Sequence, residues 1–224
     1  GQLAFIVGSY YLLKHNKGKG VMIGKMDDID PRVVTVIGAG VSGTQSILKA
    51  IDNNAIVKVV DSSQSKLDEL QSKYGSNNIE YVLSTEESIQ LSINDSDLVI
   101  GSVYVVGKEA PKVVKREMLS SMNPGTVMVD VSIDQGGCFE TSKPTTHDNP
   151  TFLENDIVHY CVTNMPGAVP LTATEALNKV SLSYVEKLAN NGVQNALDSD
   201  EHLRNGLNIL DGSIVHPGVK EALE

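Results

Sequence analysis

The sequence predicts an α/β protein, a Rossmann-type doubly wound parallel sheet followed by C-terminal helices of a second, incomplete domain. Three observations predict it. Continuous β-branched runs such as "VVTVI" (33–37) lack polar alternation, as strands buried on both faces do. Such runs alternate with helical stretches from residue 33 to about residue 163, the pattern of a parallel sheet covered on both sides. "VVTVIGAGVSG" sets Gly38, Gly40 and Gly43 directly after one of these strands and before a helix.

Residues 2–15 have helical pattern, and "KGKG" (17–20) and "MDDIDP" (26–31) are loop chemistry. The first strand, 33–37, leads into a helix over roughly 41–53. The second strand is "AIVKVVD" (55–61), and a helix over 63–74 follows, with Leu67 and Leu70 three apart. "IEYVL" (79–83) is the third strand. "TEESIQLSI" (85–93) opens with a capping-box pattern around Thr85 and Ser88. "DLVIGSV" (97–103) is the fourth strand, a short helix is expected at 112–121, "TVMVDVSI" (126–133) is the fifth strand and "IVHYCVT" (157–163) the sixth. After "NMPGAVP" a long helix over 171–190 and shorter ones over 193–207 are expected, with no further strand. So few helical residues bury little core alone, which implies a partner segment beyond this chain. Gly1 opens directly into helical pattern without a methionine or a cap, so a preceding segment is expected in the natural protein.

The 224 residues are 41% hydrophobic but only 4% aromatic, with no tryptophan, so the core must be aliphatic. A formal charge of −10 disfavours nucleic acid and anionic membranes as partners. Cys138 and Cys161 lie far apart, and no Cys/His cluster has zinc spacing. Free thiols in a reducing cytoplasm are expected, and no metal site. The apolar run Leu3 to Leu13 is too short to span a bilayer.

The glycine spacing has a physical reading. Gly38 permits the tight turn, Gly40 lets backbone approach a pyrophosphate, and Gly43 lets the helix pack close to the strand. The helix start supplies unpaired N–H groups and partial positive charge. Asp61 ends the second strand, where a carboxylate accepts hydrogen bonds from ribose hydroxyls and repels a 2′-phosphate. No arginine follows it, which favours NAD over NADP. Lys66 lies within reach of the ribose side. Ligands in such sheets lie beyond the carboxyl ends of the strands, where "GSVYVVGKEAP", "SIDQGG" and "TNMPGAVP" follow strands four, five and six. Asp134, at the tip of the fifth strand, would be the charged group nearest a nicotinamide among these loops. His147 is the better-placed histidine for acid/base work, with a loop-structuring role equally open, whereas His159 and Cys138 read as structural.

"VIGAGVSG", "DLVIGSVYVVGKEAPKVVKREM", "VDVSIDQGGCFETSKPTTHDNP" and "HYCVTNMPGAVPLTATEAL" together resemble the alanine dehydrogenase family, from residue 1 to about 190. The transhydrogenase NAD-binding subunits are similar in fold but less so through the Asp134 loop. The resemblance implies reversible NAD-dependent oxidative deamination of L-alanine to pyruvate and ammonia, in a cytoplasmic homohexamer. It implies an NAD-binding domain over 1–170 and the helical part of a substrate domain over 171–224. It makes Asp134 the active-site aspartate, Val41 and Ser42 backbone donors to pyrophosphate, Asp61 and Lys66 ribose-side contacts, and Ser84 an adenine-side contact. Val103 with Tyr104, the segment Val131, Ser132, Ile133 and Asp134, and the segment Val162, Thr163, Asn164 and Met165 match the nicotinamide pocket. Lys143 stands where an arginine is common, and Tyr104 where an aliphatic residue is expected. The family's substrate-binding arginine and lysine and its acid/base histidine belong to an N-terminal domain that precedes the matched region. The chain alone is therefore expected not to oxidise alanine. The competing readings are a truncated, non-catalytic NAD(H)-binding module and a transhydrogenase-like NAD-binding subunit.

Overall fold

In the computed structural model, residues 1–105 and 109–223 are described; the 106–108 part of the loop after the fourth strand lies outside them. The chain forms two compact units. The first comprises residues 1–105 and 109–165. Its elements are α1 (Gln2–Tyr11), β1 (Val33–Ile37), α2 (Val41–Asp52), β2 (Ile56–Asp61), α3 (Gln64–Tyr74), β3 (Ile79–Leu83), α4 (Glu86–Asn94), β4 (Leu98–Gly101), β5 (Val127–Asp130), β6 (Thr151–Glu154) and β7 (Ile157–Tyr160). The strands make one sheet in the order β3-β2-β1-β4-β5-β7-β6, parallel except for β6 against β7.

Side chains alternate across this sheet. Val34, Val36, Leu98 and Ile100 face a cluster with Phe5 of α1, Ile47 of α2 and Leu70 of α3. Ile37, Val60, Val99 and Met128 face the opposite cluster, with Ile89 and Ile93 of α4 and Phe139. Both faces are therefore covered, which explains why these strands read as apolar runs. α4 starts with the capping box foreseen, Thr85 and Ser88 each bonding the other's backbone N–H. β1 has β2 on one side and β4 on the other, so the chain changes winding direction between them. A crevice opens there at the carboxyl ends of the strands.

Three expectations need correction in this unit. The fifth strand stops at Asp130, not at residue 133, because the Asp130 carboxylate accepts the Ser132 N–H and draws the backbone into a turn. Asp134 accordingly lies on a 3-10 turn, Ile133–Gln135, rather than at a strand tip. The helix expected at 112–121 is reduced to a 3-10 turn, Arg116–Ser121. The N–H groups of Val113 and Val114 are committed to the carbonyl of Cys138, which takes them out of any helix. β6 was not foreseen. Its hairpin with β7 turns on Asn155 and Asp156, both at positive φ (50° and 60°), as a two-residue hairpin loop requires.

The second unit, among the described residues, comprises 166–223. Its described elements are α5 (Pro170–Ser199), α6 (Glu201–Asn205), β8 (Ile209–Leu210), β9 (Ser213–Ile214) and α7 (Pro217–Leu223). α5 is broken at Gly192 (φ 74°, ψ 164°), separating the two helical stretches expected there. The expectation of no strand after residue 170 fails, because Asp211-Gly212 turns a two-residue hairpin of Ile209–Leu210 against Ser213–Ile214. Among the described residues no helix is long and apolar enough to cross a membrane.

Candidate functional site

A cavity of about 730 Å³ lies in the crevice of the first unit. On the side of β1, β2 and β3 it is walled by Gly38, Gly40, Val41, Ser42, Asp61, Ser62 and Ser84, and on the side of β4 and β5 by Ser102, Val103, Tyr104, Pro111, Val113, Val131, Ser132, Asp134 and Gln135.

The glycine end is set by backbone sterics. Gly38 has φ +93°, and a Cβ there would stand 2.6 Å from the Ser102 carbonyl oxygen. A Cβ on Gly43 would stand 1.8 Å from the Gly38 carbonyl oxygen, so α2 seats against the turn only because this residue has no side chain. Gly40 differs from both. It has an ordinary φ of −68°, and no atom of the described residues lies within 4 Å of the place its Cβ would occupy. Its lack of a side chain leaves open cavity rather than relieving a clash inside the protein. The first helical bond of this turn runs from Thr44 N–H to Gly40 O at 2.9 Å, so the amides of Val41, Ser42 and Gly43 have no carbonyl ahead of them in the helix. Asp61 binds the glycine loop to the start of α3. Its Oδ2 accepts from Ala39 N at 2.6 Å and its Oδ1 from Ser63 N at 2.8 Å. Each oxygen retains a further lone pair.

The other end is set by polar contacts across the chain. Ser132 donates through Oγ to the Val103 carbonyl at 2.7 Å. Asp134 is exposed, and Gln135 N donates to Ser132 O at 2.9 Å. The Gln135 Oε1 atom is buried and has no hydrogen-bond partner among the described residues.

Of the residues singled out from the sequence, Gly38, Gly40, Val41, Ser42, Asp61, Ser84, Val103, Tyr104, Val131, Ser132 and Asp134 meet in this one cavity. The others lie outside its wall. Gly43 is the packing contact just described. Lys66 pairs with Glu69 on α3 at 3.0 Å. Ile133 is buried. Lys143 pairs with Glu154 at 3.5 Å and sits over the Phe152 ring. In the segment after β7, Val162 forms a bridge with Thr145, and Thr163 N donates to Thr145 O at 3.2 Å. Asn164 O accepts from His147 Nε2 at 3.3 Å, and Met165 is buried.

His159 is a satisfied core histidine. Its Nδ1–H donates to the Ile157 carbonyl at 3.1 Å, which leaves Nε2 to accept from the Thr141 hydroxyl at 2.8 Å. Burial pushes its pKa below the ordinary value of 6.5. Burial raises both thiols, Cys161 to about 12 and Cys138 well above its usual range, so neither is a ready nucleophile. The residue that sequence reasoning missed is Asp130. It is fully buried, and its carboxylate accepts from the N–H groups of Ser132 and Cys138 at 2.9 and 2.8 Å and from the Ser142 hydroxyl. Asp130, four residues before Asp134, thus ties the start of the following loop to its return. The available signal was an acidic residue closing an apolar strand in "VMVDVS".

Residues 4–217 match the family described as alanine dehydrogenase/PNT, C-terminal domain. An alanine dehydrogenase of Halomonas elongata is 45% identical over 99% of this chain and 60% of its own length. One from Mycolicibacterium smegmatis is 42% identical over 100% of this chain and 60% of its own. A solved L-alanine dehydrogenase superposes with a TM-score of 0.89 at 40% identity, covering 99% of this chain and 61% of that one. A transhydrogenase from Sinorhizobium meliloti reaches 0.73 at 22% identity, a likeness of fold. The chain thus spans about 60% of the length of the curated relatives it matches.

Proposed function

We propose, from the premise that this chain belongs to the alanine dehydrogenase/PNT C-terminal domain family, that it is the NAD-binding part of an NAD-dependent alanine dehydrogenase. The observation that carries the reading is the meeting of the glycine turn, the first amides of α2 and the Asp61 carboxylate on one cavity wall. Those groups fit NAD. Pyrophosphate oxygens accept from the amides of Val41 and Ser42, and the open space at Gly40 admits them. Ribose hydroxyls donate to the free lone pairs of Asp61, whose charge repels a 2′-phosphate. Bound NAD supplies the hydride acceptor. At the far end, the Asp134 carboxylate offsets positive charge that develops on the reacting carbon–nitrogen centre of the substrate. Its position on a short turn makes its placement dependent on what holds that turn.

The same reading covers what the family resemblance implies. The substrate is L-alanine, exchanged reversibly with pyruvate and ammonia. Residues 1–170 act as the NAD domain and 171–224 as part of the substrate domain. The working form is a cytoplasmic homohexamer. Lys66, Lys143 and the segment 162–165 join the site when cofactor is bound. Support for the substrate comes from relatives 40–45% identical across nearly the whole chain. NADH should raise the thermal unfolding midpoint of this protein, with L-alanine-dependent NADH formation appearing once the family's full length is supplied. NADH binding without that turnover would favour a non-catalytic NAD(H) module, and no NADH protection would overturn the proposal.

A further inference from the structure

We infer that Lys112 is a positioning residue for Asp134: its ammonium clamps the carbonyls of Gly136 and Gly137 and so presets the carboxylate that stands just before them on the cavity wall. The inference rests on the reading of Asp134 given above.

Asp134 rides on the Ile133–Gln135 turn. Asp130 holds the chain on either side of that turn, accepting from Ser132 N at 2.9 Å and from Cys138 N at 2.8 Å. The stretch between those two anchors ends in Gly136 and Gly137, both at positive φ (85° and 79°). Glycine has the widest choice of backbone conformation and loses the most freedom when it is fixed. Two in succession, directly after the turn, make the point where an unrestrained loop would bend and carry the Asp134 carboxylate with it.

The restraint comes from residues 110–114, which run beside the loop. Ala110 N donates to Gln135 O at 2.9 Å, Val113 N donates to Cys138 O at 2.8 Å, and Glu140 N donates in return to Val114 O at 2.9 Å. This seam skips the carbonyls of Gly136 and Gly137, and among the described residues no backbone N–H reaches either. Lys112, which stands between Ala110 and Val113 in the chain, fills the gap. Its Nζ donates to the Gly136 carbonyl and, at 2.7 Å, to that of Gly137. An ammonium carries three donors on a compact head, so one side chain serves two neighbouring carbonyls. Its charge also makes each bond stronger than a neutral one. The lysine thereby does at the two glycines what backbone pairing does on either side of them. Lys112 is not among the residues of the cavity wall, so its influence passes through the loop.

The test is a double-substitution cycle on kcat for L-alanine oxidation, in the chain extended to the family's full length, with a thermal midpoint for every variant. Lys112→Met should lower kcat roughly tenfold, a fraction of the loss expected for Asp134→Asn, while NADH affinity changes less than about threefold. Added to Asp134→Asn, the same substitution should lower kcat by less than about twofold more, because a charge already removed cannot be misplaced and groups that act as one unit are not additive. Lys112→Arg, whose guanidinium also offers several donors, should recover most of the parental kcat. If Lys112→Met does not fold, Lys112→Gln, with a neutral head one atom shorter, takes its place in the cycle and should show the same non-additivity. A near-parental kcat in the Lys112 variant would overturn the inference and leave the reading of Asp134 standing. So would an equal fold-loss with and without the Asp134 carboxylate, which would make Lys112 a merely structural brace. A near-parental kcat in Asp134→Asn would overturn both.

Discussion

The two ends of the cavity are built on different principles. At the glycine end the geometry is local. Gly38 and Gly43 face each other across one turn, and their roles follow from where a Cβ would collide. At the opposite end a single buried carboxylate gathers donors from residues 132, 138, 139 and 142, and a lysine from another segment braces the same loop. Steric necessity in a contiguous turn is visible in a sequence, whereas convergence of distant donors on one acceptor becomes visible only in three dimensions.

The largest expected effect falls on the steric end. Gly43→Ala should destabilise the protein by about 3 kcal/mol, the upper range for overpacking a site with no room, and the thermal midpoint reports it. Gly40→Ala sharpens the contrast. Its φ suits any residue and its surroundings are open, so stability should change by less than about 0.5 kcal/mol. NADH affinity should nonetheless fall roughly tenfold, because the new methyl occupies ligand space. Equal destabilisation by the two substitutions would erase the distinction between a packing glycine and a ligand-facing one.

At the carboxylate end, Asp134→Asn, made once the family's full length is supplied, should lower kcat for the proposed alanine oxidation roughly 100-fold, the scale of one lost preorganised electrostatic group, with NADH affinity changed only a few-fold. A near-parental kcat with a lowered melting temperature would make Asp134 a second loop anchor. Asp61→Ala should cost about 1–2 kcal/mol of NADH affinity, the scale of a lost charge-assisted hydrogen bond, and relax discrimination against NADPH.

The smallest effect concerns pH. Burial holds the His159 pKa below 6.5, so the unfolded chain accepts a proton that the folded state resists. Stability from this group is intact above about pH 6.5 and declines as pH falls through the lower folded value. His159→Gln should flatten the acid side of a melting-temperature profile. An unchanged profile would assign that acid sensitivity elsewhere.

The same division between local and distant causes decides what could be read in advance. β1 and β3 begin and end where their apolar runs do, and the Thr85–Ser88 cap was legible as a four-residue pattern. Asp61 was legible because a strand end fixes it. The end of β5 was not, because "VDVSI" continues in β-forming residues while the Asp130 carboxylate captures the Ser132 amide and stops the strand. The helix expected at 112–121 failed for a related reason. Its amides pair with Cys138, a partner more than twenty positions away that no local pattern announces. The hairpin strands were legible but unread, since Asn155-Asp156 and Asp211-Gly212 are recognisable turn dipeptides.

The central claim is that one cavity, with an acidic strand end beside its glycine turn, holds NAD(H). Calorimetric titration of the protein with NADH and with NADPH tests it most directly. The account predicts saturable NADH binding, with NADPH weaker by roughly tenfold or more because its 2′-phosphate meets the Asp61 carboxylate. NADPH binding as tight as NADH, or no binding of either, would contradict it.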